Sequence, residues 1–386
     1  MVKKDSNNPQ KGSAEPRLSA TIDELLASAL ERGDDSLATG RYVVTFKENA
    51  VEEGVRSLNS QGFRVADARE YQDQSVSLES VGDAEALMLP EIGVAVIGGG
   101  AFEQRGLSIQ SEIPLDSPIE TIEPEYFAFA NPTDTTDYLR GFVRAVLDTG
   151  FDLGHPDFVG RTVVSQTFVG QPVQDLHGHG THCIGTSCGP KSPPGTTPRY
   201  GIAHKAPIFV GKVLSNSGSG ATGGVLAGIN WAVANRCVVI SMSLGSQAPV
   251  QTAYTSAGAA ALSRGCLIIA AAGNAGSNTG SPASSPMIMS VASLDPTLAP
   301  SSFSNFGKIE IAAPGRDIFS AAPRPTRYAT MSGTSMATPH VAGCAALWAE
   351  TSPALRGTNL WKKLQATAKA LPFPPSRVGK GLVQAP

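Results

Sequence analysis

MSGTSMATPHVAG, residues Met331 to Gly343, sets a small hydroxyl, Ser335, after a glycine at what reads as the start of a helix. A free serine hydroxyl is too weak an acid to attack an amide. It needs a base within hydrogen-bond reach and a third group to orient that base. Both are available upstream: Asp148 in RAVLDTGFDLGHPDF and His179 in DLHGHGTHCIGTS. The apolar run VRAVL before Asp148 reads as a strand covered on both faces, which delivers a carboxylate to the C-terminal edge of a parallel sheet, where sites collect. Each residue alone has a plain alternative as a cap or turn residue. Their occurrence in the order Asp, His, Ser favours catalysis.

His177, His179 and His182 fall within six residues. Gly178 and Gly180 flank His179 and allow a tight turn from loop to helix, which favours His179 as the base. Three imidazoles could instead bind a metal. Zinc hydrolases, however, combine i, i+4 histidines with a general-base Glu, and no HExxH occurs. His155, His182, His204 and His340 read as structural.

The blocks AVLDTG, HGHGTH and SGTSMATPH together resemble the subtilisin-like serine peptidases, in which the triad runs in this order. The likeness continues through KVLSNSGSGATGGVLAGINWA, ISMSLGS, IIAAAGNAGS and SSFSNFGKIEIAAPG to the terminal GKGLVQA. It is dense from about Gly141 to the C-terminus and loose over about Gly40 to Ala130. It implies an α/β fold: a subtilisin-like catalytic domain with a mainly parallel central sheet flanked by helices, preceded by a small α+β propeptide domain. The implied activity is endopeptidase cleavage through an acyl-enzyme, with Asp148, His179 and Ser335 as the triad and Asn274 as side-chain donor to the oxyanion. The Ser335 N–H at a helix start is the second donor. Two alternatives from other classes stay open, a metal-dependent hydrolase using His177, His179 and His182, and a non-catalytic peptide-binding relative. An irreversible serine reagent separates them, since only the first reading predicts labelling at Ser335.

Extended peptides bind by adding a strand, so glycine-rich edges are candidate substrate sites. Ser243-Leu244-Gly245 and Gly218-Ser219-Gly220 match the family's substrate-binding segments. Ala272 and Gly273 form a wall of small residues, and Gly280 aligns near the pocket floor. Small walls and an uncharged floor imply a preference for apolar side chains before the scissile bond.

Composition changes along the chain divide it into three parts. Residues 1–37 form a polar N-terminal tail with a short amphipathic helix, TIDELLASALERG. Its capping-box pair is Thr21 and Glu24, and its apolar face is Leu25, Leu26, Ala29 and Leu30. Residues 38–130 read as RYVVTF (strand), NAVEEGVRSLNSQG (helix), FRVADARE (strand), VGDAEALMLPEIG (helix) and GVAVIGG (strand), with helices on an antiparallel sheet. By resemblance this is an inhibitory propeptide and folding chaperone. Residues 131–386 are the catalytic domain. Autocleavage is expected between Ala130 and Asn131, after the alternating EYFAFA. VIGGG lacks the rest of a dinucleotide-binding fingerprint.

With 30 basic and 33 acidic residues, a net charge of −3 and no basic patch, nucleic acid is excluded as a partner. The expected partners are protein or peptide substrates and the chain's own propeptide, and the expected state is a monomer. No apolar run is long enough to span a bilayer. MVKKDSNNPQKGSAEPR has no apolar h-region, which points to a cytoplasmic enzyme or an unusual export route, with secretion as the alternative. The chemistry implies no cofactor or catalytic metal. A structural calcium is a family feature, but the loop from Ser187 to Gly201 carries Lys191 and Arg199 and no carboxylate. Fewer residues also precede Asp148 than the family's mature N-terminus usually supplies. The five cysteines are odd in number and scattered, which argues against a disulfide framework.

Overall fold

The computed structural model describes residues 17–32, 37–71, 75–105, 109, 113–130, 133–134 and 145–386. Helix α1 (Ile22–Arg32) starts with the expected capping box: Glu24 N–H donates to Thr21 Oγ1 at 3.3 Å and Thr21 N–H to Glu24 Oε2 at 2.7 Å. Ile22 and Leu25 pack with Phe127, Val169 and Ala221. Leu30 is 82% exposed, because Ile22, Leu25, Leu26 and Ala29 already complete an i, i+3, i+4, i+7 stripe and Leu30 falls past its edge.

Next come β1 (Ala38–Phe46), α2 (Val51–Ser60), β2 (Val65–Asp67), β3 (Ala86–Leu89), β4 (Val94–Ile97), α3 (Gly99–Gln104) and β5 (Ile119–Ala130). They make a sheet in the order β5-β1-β4-β3-β2, antiparallel except for β2 beside β3. The segment VGDAEALMLPEIG, expected as a helix, is instead the first arm of a hairpin. All four residues of Ala86–Leu89 are buried, so the run has no polar stripe for a helix to turn to water. Pairing with β4 overrides helix propensity there. FRVADARE holds a strand only over Val65–Asp67 before a turn of 3-10 helix. One sheet face carries Val44, Phe46 and Met88 against Leu58 of α2 and Phe102 of α3. The other carries Val43, Leu87 and Val96 into a cluster with Val225, Leu226, Ala253 and Ala257 from the C-terminal part.

That part comprises β6 (Thr133–Asp134), β7 (Ala145–Asp148), β8 (Val163–Thr167), α4 (His179–Cys188), β9 (Ile208–Lys212), β10 (Ser219–Ala221), α5 (Thr222–Ala234), β11 (Val239–Met242), β12 (Leu244–Gly245), α6 (Thr252–Ser263), β13 (Leu267–Ala271), β14 (Met289–Leu294), β15 (Ile311–Pro314), β16 (Ile318–Ala321), β17 (Tyr328–Ser332), α7 (Thr334–Thr351), α8 (Gly357–Thr367) and α9 (Pro375–Val378). Seven strands pair wholly in parallel in the order β15-β14-β13-β11-β7-β9-β8. The first of them in the chain, β7, lies inside the sheet. The chain goes from it to the β8 edge, returns through β9, and then crosses to β11 on the other side. The C-terminal end of β7 is therefore a topological switch point, where open α/β sheets form their binding crevice. Helices α5 and α6 cover one face and α4 and α7 the other. All five cysteines are free thiols buried in these layers. No helix among the described residues is long and apolar enough to cross a membrane.

Candidate active site

Asp148 ends β7 and is buried, as the apolar run before it requires. Its Oδ1 accepts the Thr149 N–H at 2.8 Å and meets His179 Nδ1 at 2.7 Å. His179 opens α4, and the two glycines beside it have distinct duties. Gly178 caps the helix at φ 100°, a left-handed conformation that costs a side chain dearly, and a Cβ on Gly180 would lie 2.3 Å from the Gly150 carbonyl oxygen. Burial works against a charge on His179, but the Asp148 carboxylate at its ring outweighs this and raises its pKa well above the ordinary imidazole value.

Two residues that sequence reasoning missed hold this pair in register. Asp175 is fully buried and spends both oxygens on the approach to α4. Oδ1 accepts from Thr149 Oγ1 (2.9 Å), His177 N–H (3.0 Å) and Gly178 N–H (2.8 Å), and Oδ2 from Thr181 N–H (2.9 Å) and Oγ1 (2.7 Å). Thr149 Oγ1 in turn accepts the Gly180 N–H at 2.8 Å. The strand end bearing Asp148 is thus tied to the helix start bearing His179. The signal was present: a hydroxyl follows Asp148, and a carboxylate precedes His179 by one helical turn.

Ser335 is the second residue of α7, so its N–H lies among the first-turn donors that have no intrahelical acceptor. Pro339, four residues on, has no N–H and so leaves the Ser335 carbonyl without its helical donor. Side chains from two other elements take that carbonyl: the Ser243 hydroxyl at 2.7 Å and the Cys183 thiol at 3.6 Å. Cys183 lies on α4 one turn after His179, with its sulfur 3.9 Å from Nδ1, so α7 and α4 interlock at this carbonyl. The Ser335 hydroxyl donates to the Ser243 carbonyl at 3.0 Å, and His179 Nε2, buried, has no hydrogen-bond partner among the described residues.

The other histidines stand apart. His182 Nε2 meets the Ile318 carbonyl at 2.8 Å inside the core, and burial drives its pKa down to about 3. His177 is half-buried, edge-on to His179 at 6.2 Å between ring centroids. The expected alternative of a three-histidine metal cluster is overturned, because the rings of His177, His179 and His182 do not bring their nitrogens together. Among the described residues, the one cluster of ligand atoms with metal-binding proximity is Asp148, His179 and Cys183. Burial also raises the Cys183 pKa, so the thiol stays neutral.

Asn274 Oδ1 accepts both the N–H and the Oγ1–H of Thr334 at 2.8 Å, which fixes the orientation of the amide. Beside it a cavity of about 250 Å³ is lined by Ala272, Gly273, Asn274, Gly280, Thr334 and Ser335, with Phe129 of β5 at its side. A Cβ on Gly280 would come 2.5 Å from the Ser246 carbonyl oxygen, so a glycine is needed there. The expected substrate edges are β10 and β12, and β5 runs antiparallel between them. Ser219 faces Phe129 and Gly220 faces Ala128 on one side; Leu244 faces Ala130 and Gly245 faces Phe129 on the other. The Ala130 N–H donates to the Gly218 carbonyl at 2.8 Å. Ser243, the remaining predicted contact, points its side chain at Ser335 instead. Asn131 lies outside the described residues.

The sequence model of the Subtilase family matches residues 140–381. This chain belongs to the subtilase family. Over 245 residues, 62% of this chain, it is 40% identical to subtilisin Savinase of Lederbergia lenta, covering 88% of that relative, and 39% identical to thermitase of Thermoactinomyces vulgaris, covering 86%. It is also 40% identical to an alkaline protease of Alkalihalobacillus alcalophilus, of which the match covers 62%. The subtilase is accordingly a subtilisin-type serine peptidase, a hydrolase whose chemistry needs no cofactor.

Calcium is the structural ion expected of subtilases, and the segment from Ser187 to Ala206 gives the donors to judge its fit. The Asp157 carboxylate accepts the Tyr200 hydroxyl at 2.5 Å and the Tyr328 hydroxyl at 2.9 and 3.1 Å. The Cys188 and Ala206 carbonyls each accept from the Arg161 guanidinium at 2.8 Å. Calcium wants six to eight oxygens including carboxylates. These three groups already have donors, the segment from Ser187 to Ala206 has no carboxylate of its own, and these residues do not fit the ion.

Proposed function

We propose that this subtilase is a serine endopeptidase made as a zymogen, with Asp148, His179 and Ser335 as its triad and residues 38–130 as its inhibitory propeptide. The observation that carries the second part is β5, which occupies the space between β10 and β12 as a substrate strand would. Ala130 pairs with Leu244 and donates to the Gly218 carbonyl, and its neighbour Phe129 lines the cavity that Ser335 also lines. The interface supports the same reading. Glu123 on β5 accepts the N–H groups of Thr252 and Ala253 at the start of α6 (3.0 and 3.2 Å), and Glu125 accepts that of Gly223 at the start of α5 (2.6 Å). Two carboxylates on one strand thus meet the positive ends of two helices. Glu125 is itself buried and paired with Arg41 at 2.6 Å.

In catalysis the Ser335 hydroxyl turns from the Ser243 carbonyl to His179 Nε2, which takes its proton as Oγ bonds to the substrate carbonyl carbon. Asp148 holds the tautomer and stabilises the imidazolium. The Asn274 amide and the Ser335 N–H receive the oxyanion. His179 then returns its proton to the departing amine, leaving an acyl-enzyme that water hydrolyses by the same steps. The 250 Å³ cavity, walled by Ala272 and Gly273 and floored near Gly280, suits apolar side chains before the scissile bond.

The test is autoprocessing. A bond held in its own cleft has a high effective concentration, so cleavage near Ala130 is expected at a rate independent of protein concentration. Ser335→Ala is expected to stay full length. N-terminal sequencing locates the cut. A full-length wild-type chain with high peptidase activity would refute the propeptide assignment while leaving the peptidase intact.

A further inference from the structure

Around the segment from Ser187 to Ala206, the Cys188 and Ala206 carbonyls and the Asp157 carboxylate are taken by side-chain donors. Arg161, between β7 and β8, reaches the last residue of α4 with one nitrogen, donating to the Cys188 carbonyl, and the approach to β9 with another, donating to the Ala206 carbonyl. Helix α4 starts with His179 and ends with Cys188, so the guanidinium lies at the negative end of the helix that carries the base. Its planar fork spans two carbonyls that a single ammonium could not bridge in the same way. It also stands 6.0 Å from the centre of the Phe158 ring. Phe158 adjoins Asp157, whose carboxylate is taken by Tyr200 from within the loop and by Tyr328 of β17. His155 completes the knot: Nδ1 accepts the Asp157 N–H at 3.2 Å and Nε2 meets the Arg327 carbonyl at 2.9 Å. The surroundings are unfavourable to a further cation, since Arg199, Lys205, Lys191 and Arg161 all act, after burial, to lower the His204 pKa.

We infer that Arg161 and the Tyr200-Asp157-Tyr328 knot together form a metal-free clamp, the organic equivalent of a structural cation, which holds residues 187–206 and the C-terminal end of the catalytic histidine's helix. The consequence is local. Order in this segment depends on Arg161 and not on divalent ions, whatever ions bind elsewhere.

Hydrogen exchange of the full-length chain, carrying Ser335→Ala to stop self-digestion, tests this. Amides of 187–206 and the last turn of α4 are expected to exchange at the same rate with excess chelator as with calcium. Adding Arg161→Met is expected to speed them about tenfold, the loss of one to two hydrogen bonds, with no recovery in calcium. If the methionine variant does not fold, Arg161→Lys is read in the same way. Faster exchange of this segment on adding chelator to the Arg161 protein would overturn the inference, and so would an Arg161 variant that exchanges no faster.

Discussion

Ser243 and Ser335 exchange hydrogen bonds in both directions: the Ser335 hydroxyl donates to the Ser243 carbonyl at 3.0 Å, and the Ser243 hydroxyl donates to the Ser335 carbonyl at 2.7 Å. The second bond satisfies a carbonyl that Pro339 has deprived of its helical donor. Ser243→Ala removes the stronger of its two remaining donors inside the core. An orphaned buried acceptor costs about 1–3 kcal/mol, and a matching loss in unfolding free energy is expected. Turnover should fall as well, since α7 then loses a tie at Ser335, the proposed nucleophile. Unchanged thermal stability in Ser243→Ala would show that the Cys183 thiol suffices.

Asn274→Ala is expected to reduce turnover on the order of 10²- to 10³-fold while the Michaelis constant changes little, because the proposed oxyanion donor acts on charge that appears only in the transition state. Steady-state kinetics on one peptide substrate separates the two constants. A raised Michaelis constant with unchanged turnover would make Asn274 a binding residue.

The pH profile should report the Asp148–His179 pair. His179, the proposed base, must be neutral to act, and its pKa is raised well above the ordinary value by the carboxylate, against the opposing effect of burial. Activity is therefore expected only on the alkaline side of that raised value and to be lost as pH falls through it. Asp148→Asn should move the acid limb of kcat/KM to lower pH, besides lowering its plateau by orders of magnitude. An acid limb that stays in place would mean the limb belongs to another group.

The hold of residues 38–130 on the rest should itself depend on pH. Glu79 lies against Gly170 of the C-terminal part, with Oε2 buried and no partner among the described residues. Burial raises its pKa, and Glu125 adds to the rise; Arg41 and the Ser77 hydroxyl oppose it. A carboxyl raised in the assembled state leaves the assembly fully stable below its free pKa and weakens it as pH rises through the shifted one. After cleavage, the fragment should dissociate faster at alkaline than at mildly acidic pH. Glu79→Gln should flatten that dependence. Glu125→Gln should weaken binding at every pH, because the Gly223 N–H at the start of α5 then meets a neutral acceptor in place of a carboxylate. Surface-immobilised catalytic domain titrated with the fragment would measure both.

Much of the site was legible because its chemistry is local. A carboxylate after VRAVL, a histidine between two glycines and a serine after Gly-Thr each carry their backbone requirement in adjacent residues. Gly178 at φ 100° meets that requirement directly. What could not be read is what depends on distant pairing. Ala86–Leu89 has residues that serve helix or strand, and only β4 beside it settles the choice. Nothing around Arg161 in the sequence announces two carbonyls 27 and 45 residues away. Asp175 was within reach, but a lone acid in a loop is common, and its five donors are evident only in three dimensions.

The five cysteines have a use unrelated to catalysis. Each is at most 5% exposed, two on α4, one on α7, one after α5 and one before β13. A thiol reagent cannot reach any of them while the layers stay closed. Each sulfur is thus a clock for the opening of its own element, and the order in which the five react under native conditions would rank the layers by how often they come apart.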